Sequence, residues 1–358
     1  MSLGRQELIE LLGERDACTL EKLYARAYKV KVDNVGPEVY LRGLVEISNI
    51  CRKNCLYCGI RRDNASAGRY ELSVGEVLEA VRFAARSGYA SVVLQGGERT
   101  DSAFISKISF LLEEISRIKC PDGGTLGVTL SLGEQAEEVY REWRAAGARR
   151  YLLRIESSTR ELYEKIHPRD GLHSFGARME ALHALRRCGY QVGTGVMIGL
   201  PFQNEAHLAD DLLFFKELDI DMCGMGPYIE HSMTPLYAFR SLLRPAPERL
   251  ELSLKMVALL RMLMPDINIA ATTAMQTLDP KGREKAILAG ANVVMPNLTL
   301  SEVRKDYQIY QGKPGIEEDA AITSSGLEKA LEDMKIPIGF NRWGDSLHYG
   351  KRNQSSDS

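Results

Sequence analysis

The chain has 358 residues, of which 44% are hydrophobic and 26% charged, a globular composition with enough apolar residues for a large core. Its formal charge of −2 argues against a surface built mainly for nucleic acid, which usually carries a basic excess. No apolar run reaches the roughly 18 residues of a membrane helix, and the start lacks the basic-then-apolar order of a signal peptide. We therefore expect a soluble, cytoplasmic protein with no nucleic-acid or membrane partner.

Short apolar, β-branched segments alternate with helical patterns along the chain. The predicted strands are residues 44–48, 91–95, 127–131, 150–154, 191–197, 222–225, 267–271 and 292–296. The predicted helices are residues 5–12, 20–28, 134–146, 174–188, 204–217, 247–264 and 282–289, with a further helix capped by Ser73 and Glu76. Near-continuous apolar segments of this length are typical of buried parallel strands. The pattern predicts an α/β protein, a complete (β/α)8 TIM barrel, with a doubly wound sheet as the alternative.

Four regions follow from this pattern. Residues 1–40 form short N-terminal helices expected to plug the bottom of the barrel, and residues 41–300 form the barrel itself. Residues 301–350 are a C-terminal extension that wraps back over the barrel, and residues 351–358 read as a disordered tail. Chemistry is expected where the strands end, at the carboxyl face of the barrel.

Three of the seven cysteines lie close together after the first strand, in the order Cys51-x3-Cys55-x2-Cys58. Thiolates are ligands for iron–sulfur clusters, zinc and copper(I). A structural zinc site normally takes four protein ligands, whereas three thiolates on a four-iron cluster leave one iron open. The spacing predicts one 4Fe–4S cluster on these cysteines. A structural zinc site completed by a distant residue is the alternative.

This cysteine spacing, in this position, resembles that of the radical S-adenosylmethionine (SAM) enzymes. The resemblance implies that the open iron binds the methionine part of SAM and that one electron cleaves SAM to a 5′-deoxyadenosyl radical. It also implies a set of SAM-binding residues at the ends of the strands. These are Tyr57, Gln95, Gly96, Gly97, Glu98, Ser131, Arg154, Glu156, Arg178 and Met197.

Several of these residues have a structural interpretation as an alternative to SAM binding. Tyr57 could merely cover the cluster instead of lying beside adenine. Arg154 and Glu156 are two residues apart on a strand and point to the same face, so their pair could be structural. Arg178, without the resemblance, reads as a solvated surface residue. The pair of glycines before Glu98 would let backbone groups approach a ligand closely.

Longer stretches resemble the FeFe-hydrogenase maturase HydE family. They are ISNICRKNCLYCGIRRDN (47–64), VLQGGE (93–98), VTLSLGE (128–134), RYLLRIES (150–157), MIGLPFQ (197–203), DMCGMGPYIEHSMTPL (221–236), ATTAM (271–275) and GANVVMPN (290–297). This resemblance implies a role in building the hydrogenase H-cluster, on a small organometallic iron complex bearing CO, cyanide and cysteine. Partner maturases and a one-electron donor, a ferredoxin or flavodoxin, are the implied partners.

The same resemblance, with the residue chemistry, suggests a substrate site. Its candidates are Thr129, Thr272, Thr273, Met225, Met295, Tyr307 and Tyr310. Core packing is the alternative for the methionines, and helix capping is the alternative for the threonines. Cys223 reads as a buried, inert thiol.

Some members of the family carry a second cysteine cluster in the region that corresponds to residues 310–326. This chain has no cysteine there, so we expect no second cluster. Two other functions stay open on the sequence: a methylornithine-synthase-like or other small-molecule radical SAM mutase, and a non-catalytic iron–sulfur or zinc protein.

Overall fold

The computed structural model describes residues 3–316 and 320–356. Its strands are β1 (Tyr40–Leu41), β2 (Gly43–Ser48), β3 (Ser91–Gly96), β4 (Gly127–Ser131), β5 (Ala148–Leu152), β6 (Gln191–Thr194), β7 (Met197–Ile198), β8 (Met222–Cys223), β9 (Gly226–Pro227), β10 (Asn268–Ile269) and β11 (Val293–Val294). Its helices are α1 (Arg5–Gly13), α2 (Ala17–Val35), α3 (Val74–Arg86), α4 (Ser102–Arg117), α5 (Glu137–Ala145), α6 (Arg160–Ile166), α7 (Phe175–Arg187), α8 (Glu205–Glu217), α9 (Ala246–Leu263), α10 (Thr273–Leu278), α11 (Gly282–Leu288), α12 (Ser301–Arg304), α13 (Ala320–Asp333) and α14 (Leu347–Ser356). Two 3₁₀ segments are Gly171–His173 and Pro235–Leu242.

Seven parallel strands form one curled sheet in the order β10, β8, β6, β5, β4, β3, β2, while β11 pairs with β1 and β7 with β9. The strands of the large sheet follow chain order, which excludes the doubly wound alternative, whose order reverses at a switch point. Backbone hydrogen bonds link the chain around the β1–β11 pair to both edges of the large sheet. Ala271 N donates to Val293 O over 2.9 Å, and Leu44 N donates to Pro296 O over 2.8 Å. The α/β class with a parallel sheet is confirmed.

Local sequence signals explain where several helices begin. Ser73 and Glu76 form the predicted capping box at the start of α3, with Ser73 N donating to Glu76 Oε2 over 2.6 Å. Helix α4, which the sequence pattern did not indicate, begins after Asp101, whose carboxylate accepts from Phe104 N over 3.1 Å. No helix in the described part of the chain is both long and apolar enough to cross a bilayer.

The bottom of the sheet is closed by the C-terminal segment 343–346, not by the N-terminal helices. Helices α1 and α2 pack on the outside, against α8, α9 and α11. The buried Arg150 on β5 donates to Trp343 O over 3.3 Å and pairs with Asp345, and Arg42 donates to Gly344 O over 2.9 Å. The expectation that residues 1–40 plug the barrel is therefore wrong, because buried arginines at the strand starts need the carbonyls and the carboxylate of this segment.

The prediction of a disordered tail is also wrong for residues 351–356, because helix α14 continues to Ser356. Lys351 Nζ lies 2.8 Å from Asp266 Oδ2, and Arg352 Nη2 lies 2.8 Å from Oδ2 of the buried Asp221. These ion pairs hold the helix against the bottom of the sheet. Residues 357–358 of the predicted tail, residues 1–2 of the N-terminal extension and residues 317–319 of the expected wrap lie outside the described residues.

Candidate functional site

A cavity of about 310 Å³ opens at the carboxyl ends of the strands. The structure brings most of the predicted residues together on its walls. They are Cys51, Cys55, Cys58, Tyr57, Gln95, Gly96, Gly97, Glu98, Ser131, Arg154, Glu156, Arg178, Met197, Thr272, Thr273, Met295, Tyr307 and Tyr310. Residues from eight separate loops and strands thus meet in one place, as expected for a site at this face of a parallel sheet.

Thr129 and Met225 are not among the described residues that line this cavity, which corrects their prediction as substrate residues. Thr129 lies two residues before Ser131 on β4 and therefore one layer deeper, where its hydroxyl accepts from Arg150 Nε over 3.0 Å. It lines a smaller neighbouring cavity instead. Met225 is fully buried in the hydrophobic core.

The loop with the three cysteines is held against the end of β3. Arg69 Nη1 donates to the carbonyls of Asn49 and Ile60, over 2.8 Å each, which fixes both ends of the loop. Glu98 N donates to Cys51 Sγ over 3.3 Å. A Cβ on Gly97 would lie 2.3 Å from the carbonyl oxygen of Ile50, so only glycine allows this approach.

All three cysteines carry free thiols on one side of the cavity. Burial raises the pKa of Cys55 to about 12 and also raises the pKa of Cys51. A metal must displace these protons, so iron binding and thiol deprotonation are coupled. Within the described residues, no three His, Cys, Asp or Glu side chains converge on one point as a mononuclear site requires. In a four-iron cluster each thiolate binds its own iron, and three soft thiolates with room beside them fit such a group.

A buried ion network lies behind the cysteine loop, and the sequence pattern did not reveal two of its members, Lys53 and Glu134. Lys53 Nζ lies 2.9 Å from Glu134 Oε2 and 3.5 Å from Glu98 Oε1, and Glu134 also pairs with Arg178. Arg178 is buried, so its reading as a solvated surface residue is wrong. Burial raises the pKa of Glu98, against the opposing effect of Lys53.

Arg154 and Glu156 form the predicted pair, with Arg154 Nη2 lying 2.9 Å from Glu156 Oε2. The contact lacks hydrogen-bond geometry, and neither Glu156 Oε2 nor Arg154 Nε has a hydrogen-bond partner in the described part of the chain. Glu156 also has a φ of 67°, a conformation that costs a glutamate of order 1–3 kcal/mol. The structure thus places a strained pair with incomplete hydrogen bonding on the cavity wall.

Tyr57 is tied to a histidine that the sequence did not single out. Its hydroxyl lies 3.2 Å from Nε2 of His167, whose Nδ1 lies 2.9 Å from Tyr163 O. The rings of Tyr57 and His167 meet edge to face with centroids 5.3 Å apart. This contact fixes the Tyr57 ring on the cavity wall.

A second unpredicted pair, Glu46 and Lys313, also lines the cavity. Lys313 pairs with Glu46 and lies over the ring of Tyr307, 5.1 Å from its centroid. The Tyr307 hydroxyl accepts from Gln95 Nε2 over 3.3 Å. The glutamate in the apolar strand segment LVEIS was a usable sequence signal, because a charge in a buried strand must face a polar partner. No local signal marks Lys313.

Comparisons with known proteins agree with this geometry. The profile of the Radical SAM superfamily matches residues 45–215. The chain is 45% identical over 344 residues to the [FeFe] hydrogenase maturase subunit HydE of Thermotoga maritima, covering 95% of this chain and 93% of that protein. It is 29% identical over 293 residues to 3-methylornithine synthase of Methanosarcina acetivorans, covering 82% of this chain and 79% of that protein.

Among solved structures, methylornithine synthase (PylB) superposes with a TM-score of 0.79 at 23% identity, covering 95% of both chains, which shows a shared fold. Three cysteines on one wall of a cavity at the strand ends and close identity along nearly the whole chain lead to one assignment. The protein is a radical SAM enzyme, and it belongs to the family of the FeFe-hydrogenase maturase HydE.

Proposed function

We propose that this enzyme acts in the maturation of FeFe-hydrogenase, as its relative from Thermotoga maritima is named to do. The observation that carries the proposal is the convergence of Cys51, Cys55 and Cys58 with the segment 95–98 and with Arg154 and Glu156 around one cavity. We propose a single 4Fe–4S cluster on the three cysteines, since the region 310–326 offers no further thiol.

The cluster and SAM supply the radical chemistry, and the protein residues bind, orient and shield it. Backbone groups of Gly96 and Gly97 face the cavity without side chains in the way, which suits a tightly held ligand. Glu98, with Lys53 and Glu134 behind it, is held in place to accept from the amino group of SAM.

The remaining SAM contacts are assigned by position on the same walls. Arg178, anchored by Glu134, offers positive charge for the SAM carboxylate. Glu156 Oε2 is ion-paired with Arg154 but has no hydrogen-bond partner among the described residues, which suits a ribose hydroxyl. Tyr57 and Met197 give the apolar surface that an adenine ring requires, and Ser131 and Gln95 supply further polar contacts.

For the substrate we propose an anionic organometallic iron complex with CO, cyanide and cysteine ligands. Thr272 and Thr273 line the cavity near the start of α10, and the Thr273 hydroxyl can donate to a small anion, whereas the Thr272 hydroxyl donates to Met225 O over 3.4 Å. Met295 and Tyr310 complete this wall, and Arg154 adds positive charge. A partner maturase would deliver the complex, and a ferredoxin or flavodoxin would supply the electron.

We also infer that the eight strand positions close into a complete (β/α)8 barrel. The hydrogen bonds from Ala271 N to Val293 O and from Leu44 N to Pro296 O support closure through the β1–β11 pair. A cytoplasmic location accords with seven free cysteines, because thiols stay reduced in that compartment.

The test is an anaerobic turnover of the reconstituted enzyme with dithionite and SAM. We expect release of 5′-deoxyadenosine, and conversion of the synthetic iron–cysteine complex that iron spectroscopy detects. Cys55→Ser should lose both iron and nucleoside formation, whereas Cys18→Ser, on an exposed thiol, should keep both. Conversion of lysine to methylornithine, with no change of the iron complex, would contradict the maturase assignment.

A further inference from the structure

Three large apolar side chains lie exposed beside the cysteine loop: Phe202, Phe239 and Leu242, which we call the phenylalanine patch. Their exposed fractions range from 39% for Phe202 to 55% for Leu242. The rings of Phe202 and Phe239 meet edge to face with centroids 5.0 Å apart. Leu242 ends the 3₁₀ segment Pro235–Leu242, three residues after Phe239, where the segment is kinked. Exposed apolar clusters of this kind mark interaction surfaces more often than isolated apolar residues do.

The turn that carries Phe202 is held in place by side-chain hydrogen bonds. Phe202 has a φ of 69°, which is unfavourable for a bulky side chain. The side chain of Gln203 maintains this turn, since its Oε1 accepts from Gly199 N over 2.6 Å and its Nε2 donates to Met197 O over 3.0 Å. A strained turn that presents an aromatic ring to solvent needs a reason other than folding.

A single layer of side chains separates the patch from the cysteine loop. Leu236, buried within the same 3₁₀ segment, donates its N–H over 2.9 Å to the carbonyl of Leu56, the residue after Cys55. Leu56 and Leu236 belong to one small apolar cluster with Met197, which lines the SAM cavity. A protein bound at the patch would therefore lie next to the loop that holds the cluster.

The rim of the patch carries more positive than negative charge. Its cations are Arg61, Lys165, Arg240 and Arg244, and its carboxylates are Glu161 and Glu205. Lys165 Nζ lies 5.6 Å from the centroid of the Phe202 ring, and Arg240 lies over Tyr237 with no carboxylate within ion-pair distance among the described residues. An excess of positive charge around an apolar centre favours an acidic protein partner.

We propose that the phenylalanine patch is the docking surface for an acidic one-electron donor protein. The inference rests on the proposed function, since a cluster that cleaves SAM must first be reduced. The donor is oxidised by one electron, which the oxidised cluster accepts, and no bond is made or broken. The small area of the phenylalanine patch suits such a partner, because redox complexes bury less surface than stable complexes do.

The test compares a protein donor with a small reductant that needs no docking. Phe239→Asp/Leu242→Asp should weaken the binding of an acidic flavodoxin, measured by titration calorimetry, about tenfold or more, as expected for central residues of an interface. The rate of 5′-deoxyadenosine formation with reduced flavodoxin should fall in parallel, whereas the rate with dithionite should stay at the wild-type value. Arg240→Glu should weaken binding most at low ionic strength.

Phe110→Asp is the matched control, because Phe110 is 49% exposed on the distant helix α4. Flavodoxin affinity that is the same in the double variant as in the control would overturn the docking proposal. So would a change of the double variant from dimer to monomer in sedimentation with flavodoxin binding intact, since a second copy would then cover the patch. Failure of dithionite to support any SAM cleavage would instead contradict the proposed function.

Discussion

Glu46 and Lys313 show how a single pair of charges on the cavity wall matters for stability. Both side chains are buried, and 267 positions of sequence separate them. Asn297 Nδ2 donates to the second oxygen of Glu46 over 3.1 Å, so the carboxylate has polar partners on both sides. A buried ion pair of this kind contributes little to the free energy of unfolding compared with apolar residues of similar volume. Removing one partner, however, leaves a buried charge without a partner.

We predict that Lys313→Met lowers the free energy of unfolding by about 3–5 kcal/mol, because it leaves Glu46 buried and unpaired. Glu46→Gln/Lys313→Met should recover much of that loss, since the double variant contains neither charge. Urea denaturation of the four proteins in this cycle measures the effect. A Lys313→Met protein as stable as the wild type would show that water or another group already neutralises Glu46.

The contact between the cysteine loop and strand β3 depends on the absence of a side chain at Gly97. A methyl group on Gly97 would lie 2.3 Å from Ile50 O and 2.8 Å from Cys51 Cβ, so the loop would have to move away from the strand. We predict that Gly97→Ala lowers the iron and sulfide bound per chain after reconstitution and slows SAM cleavage. Gly176→Ala is the control, because an added Cβ in α7 meets nothing closer than 3.7 Å. Full iron content in Gly97→Ala would show that the loop tolerates the shift.

Helix α14 is docked through a histidine between two carboxylates. His348 Nδ1 lies 3.1 Å from Asp266 Oδ1, and its Nε2 lies 2.5 Å from Asp219 Oδ1. The hydrogen bond with Asp266 is the largest contribution that raises the pKa of His348, and the same contact lowers the pKa of Asp266. Lys351 and Arg352 face the same carboxylates.

This arrangement predicts a pH dependence for the docking of α14. The stabilisation by His348 is complete below its unfolded pKa of about 6.5 and is lost as the pH rises through the higher folded value. The stabilisation by Asp266 depends on pH in the opposite direction, because the pKa of this carboxyl is lowered. It is lost only as the pH falls and the carboxylate is protonated. Amide hydrogen exchange in residues 347–356, corrected for its intrinsic pH dependence, should show protection that decreases from pH 6 towards pH 9. His348→Gln should remove that decrease, and an unchanged profile in this variant would contradict the assignment.

For the whole molecule, the chain after β11 closes the fold at both ends. Residues 307–313 bring Tyr307, Tyr310 and Lys313 to the cavity, whereas residues 343–346 cover the starts of the strands. A protein that ends after residue 338 would lose Asp345 and the cover over Arg150, and it would also lose the ion pair of Arg352 with the buried Asp221. We predict a loss of at least about 3 kcal/mol in the free energy of unfolding for this truncation, measured by denaturant titration.

Asp345→Asn is a milder variant to compare with that truncation. It removes the negative charge but leaves the carbonyls of Trp343 and Gly344 in place. It should lose less stability than the truncation does. Equal stability of the truncated and full-length proteins would show that the segment covers the strands without supporting them.

The sequence by itself determined those features of the site that depend on residues close together in the chain. Three cysteines within eight positions, the Gly-Gly-Glu after a strand, and the Arg154–Glu156 pair could all be predicted, because residues close in sequence stay close in space; the two paired residues nevertheless lie after β5 and not on one strand face. The alternation of strands and helices likewise determined the α/β class, since buried parallel strands need continuous apolar segments.

Tertiary structure alone decided which distant charges meet. It paired Lys313 with Glu46, set Lys53 and Glu134 behind Glu98, and turned Arg178 from a surface residue into a buried one. It also moved Thr129 one layer below the cavity and brought the C-terminal segment, in place of the N-terminal helices, to the starts of the strands. These outcomes depend on which buried polar groups find partners across the whole fold, and a linear pattern of residue types does not contain that information.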